Sequence, residues 1–174
     1  MKKITLILIM MICASTNSDW YLTTSPTSNA LLNVLFVNSN TGYACGDIGT
    51  IIRTTNGGIN WTALTSGTNE VLSSMAVNPA NTNVVYAAGF NGVLLKTTNA
   101  GNNWVLQTTG GSYNAIIFKD ANTGVAAGLG GIVYRTTNGG NNWVSVDPGL
   151  GLVTISSLYI GGGVIFGGCA SGKI

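Results

Sequence analysis

All four tryptophans of this chain fall at one position of a repeat. Trp20, Trp61, Trp104 and Trp143 are separated by 41, 43 and 39 residues. Three of them share a lead-in: Thr54-Thr55-Asn56-Gly57-Gly58-Ile59-Asn60-Trp61, Thr97-Thr98-Asn99-Ala100-Gly101-Asn102-Asn103-Trp104 and Thr136-Thr137-Asn138-Gly139-Gly140-Asn141-Asn142-Trp143. A unit of about 40 residues cannot bury its apolar face alone and has to stack on its neighbours. Short β-branched runs between Gly and Asn clusters make each unit a set of strands. The expected fold is therefore all-β, a β-propeller of four-stranded antiparallel blades.

Each unit reads as four strands. The first covers 32–37, 72–77, 113–118 and 153–159; the second covers 42–46, 84–89, 124–128 and 164–168. The third covers 50–54, 93–97 and 132–136 and begins again at Lys173-Ile174. The fourth covers 60–64, 103–107 and 142–146. The second strand has small residues, Ala44-Cys45, Ala87-Ala88 and Ala126-Ala127, which let wedge-shaped blades approach near the axis. Ile48-Gly49, Asn91-Gly92 and Gly130-Gly131 read as two-residue hairpin turns that need positive φ. These elements give blades at about 30–66, 71–108 and 112–147, and a partial blade at 151–174. Trp20 to Thr23 aligns as a fourth strand without its first three and is assigned to the blade that closes the ring. The expectation is three full blades plus partial ones, a C-terminally truncated piece of a larger propeller. The alternative is a four-bladed ring in which Trp20 to Thr23 completes the last blade.

The lead-in to each Trp joins third strand to fourth. Asn bonds its own backbone and tolerates the left-handed region, and Gly supplies positive φ. The segment resembles the Asp-box, or bacterial neuraminidase repeat, Ser/Thr-x-Asp-x-Gly-x-Thr-Trp. Thr54, Asn56, Gly58 and Trp61 match it, as do Thr97, Asn99, Gly101 and Trp104, and Thr136, Asn138, Gly140 and Trp143. Asn stands for Asp each time. The resemblance implies a structural role for these residues. Gly-Tyr-Ala-x-Gly-x-x-Gly-x-Ile followed by Arg-Thr-Thr-Asn-Gly-Gly is similar to the photosystem II stability and assembly factor family of propellers. The similarity spans about residues 20–174. That family is known for a basic, arginine-rich patch that contacts its membrane partner. This chain has two arginines, Arg53 and Arg135, both at one repeat position.

Residues 1–15 read as a secretory signal peptide. Lys2-Lys3 precedes an apolar run from Ile4 to Ile12 that is too short to span a bilayer, and small Ala14 and Ser15 follow. The expected location is therefore outside the cytoplasm: periplasm, cell surface or medium. Without this segment five basic residues (Arg53, Lys96, Lys119, Arg135, Lys173) balance five acidic ones (Asp19, Asp47, Glu70, Asp120, Asp147). A chain so balanced has no nucleic-acid footprint. No membrane span is expected after cleavage.

The composition also narrows the chemistry. The chain has no His, and only Cys45 and Cys169 outside the leader. Neither a metal site nor a cofactor is expected; the two cysteines read either as small buried thiols or as a disulfide that export would permit. Sialidases share the Asp-box, but they need an arginine triad, a Tyr–Glu nucleophile and an acid/base Asp. Glu70 is the single Glu, and the five acids form no pair by spacing. No catalytic residue is assigned. Loops from fourth to first strands share a face with the second-to-third turns, opposite the Asn-Gly turns. Loops on a rigid scaffold carry function, so Asp47, Glu70, Phe90 and Asn91 are the binding candidates. The reading is an exported, non-catalytic scaffold for an unknown protein or a surface glycan. Its rivals are a secreted sialidase-like or other glycan-active enzyme with its catalytic residues in further blades, and a photosystem II assembly factor proper.

Overall fold

A computed structural model describes residues 8–11, 20–108, 110–149 and 151–172. Among these there are sixteen strands and a single 3-10 turn at Leu129–Gly131. β1 (Leu8–Met11) pairs antiparallel with β2 (Trp20–Thr23). Three four-stranded sheets follow: β3 (Leu31–Phe36), β4 (Gly42–Gly46), β5 (Ile51–Thr54) and β6 (Thr62–Leu64); β7 (Leu72–Asn78), β8 (Asn81–Gly89), β9 (Val93–Thr97) and β10 (Val105–Thr108); β11 (Tyr113–Phe118), β12 (Gly124–Gly128), β13 (Val133–Thr136) and β14 (Val144–Val146). β15 (Ile155–Gly161) and β16 (Val164–Cys169) form a fourth, two-stranded sheet. Every sheet is an antiparallel meander in chain order. These are the blades of a β-propeller.

Leu8–Met11, within the run read as a leader, pairs with β2 from Leu8 opposite Thr23 to Met11 opposite Trp20. β2 bonds to β1 and not to the two-stranded sheet of β15 and β16. An apolar, β-prone run beside an unpaired strand edge has a strong reason to pair with it. Residues 1–7 and 12–15 of the leader, and the expected strand at Lys173-Ile174, lie outside the described residues. β2 keeps a link to the first blade, because Thr23 Oγ1 donates to Gly58 O at 2.8 Å.

The first strands stand innermost: β3 packs on β7, β7 on β11 and β11 on β15. The alanines of the second strand lie one step out, between sheets. Successive residues of that strand point to opposite blades. Tyr43 and Cys45 join a core with Val85, Ala87, Leu95 and Trp104 of the second blade, and Tyr86 and Ala88 join one with Phe118, Ala126 and Trp143 of the third. Polar bonds stitch the same seams. Cys45 Sγ reaches Leu72 O, Ser73 Oγ donates to Tyr113 O, and Ser74 Oγ accepts from Ile116 N. In the three four-stranded blades the last residue of the second strand is closed to any side chain. A Cβ on Gly46, Gly89 or Gly128 would stand 1.8–2.0 Å from the carbonyl of Ala30, Val71 or Ser112.

One packing site is filled in two ways. In the first and third blades Phe36 and Phe118 face Gly42 and Gly124, where a Cβ would meet the ring at 2.8 and 2.7 Å. In the second blade the same pair is Val77 and Val85. One ring fills the space that two branched side chains share. Val77→Phe alone should overpack the site, and Val85→Gly alone should open a cavity, each costing about 1–3 kcal/mol. The double variant should recover at least about 1 kcal/mol of the summed loss in a urea-unfolding cycle. Additive losses would mean that the two positions do not share one space.

Candidate functional site

The two ends of the sheets differ. At one end lie the Asn-Gly turns, each held by the same four bonds. Thr54 Oγ1 accepts from Gly58 N at 2.9 Å and Asn56 N at 3.3 Å and donates to Asn56 Oδ1, which also accepts from Asn60 N at 2.9 Å. Thr97, Asn99 and Gly101 repeat this arrangement, as do Thr136, Asn138 and Gly140. Only the side-chain carbonyl of Asn is used as acceptor. An amide therefore replaces a carboxylate here without loss of geometry and without a buried charge. Trp61 is 7% exposed, while Trp104 and Trp143 are half-buried. Trp61 meets Phe36 edge-on and Trp143 meets Phe118 the same way.

The opposite end gathers the candidate binding residues. Glu70 is the hub. Its main-chain carbonyl accepts from Gly49 N at 2.9 Å in the first blade's turn, and its carboxylate accepts from Asn91 Nδ2 at 2.7 Å in the second blade's turn. Asn91, at φ 54°, takes Ser112 Oγ on its own N–H. Asp47 and Phe90 lead the two turns and are held through the main chain, Asp47 N to Ala30 O and Phe90 N to Val71 O. So Glu70 and Asn91 touch, Phe90 adjoins Asn91 in sequence, and Asp47 belongs to the turn on the other side of Glu70. Two shallow hollows flank this ridge. One, of about 410 Å³, runs from Pro26 and Thr27 past Ile48 to Ser66–Asn69. The other, of about 360 Å³, lies between Asn91, Gly110–Ser112, Leu129 and Ile132.

The titratable groups elsewhere serve the scaffold. Main-chain N–H groups of Asn122 and Thr123 hold the Asp120 carboxyl below its ordinary range. Asn38 makes the same bonds to Asn40 and Thr41 in the first blade. Lys96, whose affinity for its proton is lowered by burial, donates to Gly139 O at 2.7 Å and Asn141 Oδ1 at 2.8 Å in the next blade's turn. Beside it Tyr86 donates to Gly139 O at 2.8 Å. This strap from blade to blade was not foreseen. The recurrence of a cation just before Thr-Thr was its only signal in the sequence. Cys45 and Cys169 are both free thiols. Among the described residues no cluster of His, Cys, Asp and Glu is placed to hold a metal.

The whole arrangement belongs to the repeat propellers whose blades carry neuraminidase-type turns. The chain belongs to the family described as photosynthesis system II assembly factor YCF48, whose model it matches over residues 12–156. Among solved structures it is similar to YCF48 bound to D1 peptide, at 24% identity and a TM-score of 0.61, over 69% of this chain and 41% of that one. YCF48 from Cyanidioschyzon merolae matches at 23% identity and 0.61, over 71% and 41%. The GH74 xyloglucanase from Xanthomonas campestris matches at 16% and 0.63, over 82% and 28%. These likenesses show the fold. The chain spans 41% of the length of the YCF48 structures that it matches. No curated protein matches the chain.

Asn99→Ala should lose the bonds to Thr97 and Asn103 and cost about 1–2 kcal/mol in chemical unfolding; a variant as stable as the parent would show that the turn holds itself. Burial pushes the Cys45 thiol up to about 12. Iodoacetamide at pH 8 should therefore label Cys169 and spare Cys45 until denaturant is added, as read by peptide mass spectrometry. Equal labelling in the folded protein would contradict the burial of Cys45.

Proposed function

We propose that this chain is part of an exported, non-catalytic propeller scaffold that engages a partner, a protein or a surface glycan, through the loop face. The observation that carries the reading is Glu70. One residue ties the turns of two blades together, and its carboxylate and the Asn91 amide stay exposed between two hollows. A rigid ridge of polar groups flanked by concavities suits recognition, since little ordering is left to do on binding. Family membership favours a protein partner, and one of the similar YCF48 structures is described as bound to a D1 peptide. The leader-like run after Lys2-Lys3 supports export. The lack of His and the single Glu support a non-catalytic role, because neither a carboxylate pair nor an arginine triad can be assembled from this sequence.

Photo-crosslinking tests the reading directly. A benzoylphenylalanine at position 129, in the hollow beside Asn91, should capture a partner from an envelope extract, and one at 59, in the first Asn-Gly turn, should not. Glu70→Ala should reduce capture at 129 with the melting temperature shifted by only a few degrees. Capture from 59 alone would move the binding face to the Asn-Gly turns. A second reading, a glycan-active propeller, is favoured by the fold likeness to GH74 enzymes. Release of reducing ends from xyloglucan or of free sialic acid from sialosides would establish it over the first. Export is tested separately by fusing residues 1–19 to alkaline phosphatase, which should be active only outside the cytoplasm.

A further inference from the structure

Two adjacent seams use the same positions differently. Between the second and third blades, Tyr86 and Lys96 both end on Gly139 O. One seam earlier those positions hold Tyr43 and Arg53. The Tyr43 hydroxyl and Arg53 Nε are both buried without a hydrogen-bond partner. Tyr43 is 0% exposed. The guanidinium carbon lies 6.0 Å from the centre of the Tyr43 ring. Burial raises the pKa of the Tyr43 hydroxyl, and the nearby Arg53 charge works against that rise. A third donor lies nearby, across a leucine methyl. The point where a Cβ would stand on Gly101 is 2.6 Å from Leu64 Cδ1, 3.4 Å from Tyr43 Cε1 and 3.6 Å from Trp104 Nε1, and that indole N–H is also buried and unpartnered. Trp143 is unpartnered in the same way over Gly140. The indole is thus common to both seams, and the pair Tyr43–Arg53 is what sets this one apart.

Donors left buried without acceptors forfeit their hydration, and such groups call for an ion or water. Water would serve each donor separately, whereas one anion serves both and meets the guanidinium charge as well. Among the described residues no carboxylate pairs with Arg53. A planar, two-oxygen anion fits the guanidinium fork and can take a phenol proton on its second oxygen. We propose that Tyr43 and Arg53 form a carboxylate-binding notch at the seam of the first two blades, on the end that bears the Asn-Gly turns, with the Trp104 indole as its nearest reporter. This site is independent of the loop-face reading.

The test is an NMR titration of the 15N-labelled chain with sodium acetate, at ionic strength held constant with sodium chloride. The Arg53 Nε–H and Trp104 indole signals should move and saturate, while the Trp61 indole stays fixed. Arg53→Gln should weaken binding by about tenfold or more, and Tyr43→Phe should weaken it with an unchanged amide spectrum. If Arg53→Gln fails to fold, Arg53→Lys serves instead. Its ammonium should settle on the turn of the second blade, as Lys96 does on Gly139 O, and acetate binding should again be lost. No saturation, or the same binding in the Arg53 variants, overturns the notch. Tetra-alanine with a free C-terminus distinguishes the source. Tighter binding than acetate points to a partner's chain end or acidic side chain, and equal binding points to a small free acid. The amidated peptide binding as well as the free one would overturn carboxylate recognition.

Discussion

A blade of this protein is buried only because another blade lies on it. Everything else follows from that dependence. A four-stranded sheet has two faces, and here both are apolar along the inner strands. Tyr43, Cys45 and Ile51 look one way and Ala44, Ile52 and Trp61 the other. No sheet owns a core, and stability is shared along the row of seams. Small side chains on the second strand set the spacing. The glycine that ends that strand closes it, because a neighbouring carbonyl occupies the place of its Cβ.

The fold was legible because its punctuation is local. Positive φ marks the second-to-third turns, at Ile48-Gly49, Asn91-Gly92 and Gly130-Gly131, and Thr-x-Asn-x-Gly marks every third-to-fourth turn of the full blades through bonds made within a few residues. Strand limits shifted by a residue or two, most at β8, which begins at Asn81 because Asn78 and Asn81 pair across a tight turn. What the sequence hid were relations between blades. Glu70 and Asn91 are 21 residues apart, and Lys96 and Gly139 are 43 apart. Nothing in either local sequence specifies the other partner. The strand at Leu8–Met11 was hidden for a related reason, since its apolar run fits an export leader as well as it fits an open strand edge.

The cations illustrate how one repeat position can serve different ends. Lys96 has a flexible stem and a point charge, and it reaches a carbonyl in the neighbouring turn. Arg53 stands over an aromatic ring with its Nε unpartnered. Arg135 faces Val125 across the strand pair and is exposed. Three basic residues at equivalent places thus have three environments. A patch inferred from counting charges along the sequence would have merged them.

The exchange of Phe and Gly for Val and Val has a meaning for the history of such chains. A repeat that multiplies by copying whole units inherits both halves of each filled space together, so its interior can drift in shape without passing through a cavity or a clash. A crossover inside a unit, between the first strand and the second, would bring Phe36 against Val85 or Val77 against Gly42. The break points open to recombination therefore lie in the loops between blades. The same loops are where the surface is free to vary, so new exposed ridges can be shuffled in while the interior pairs travel intact.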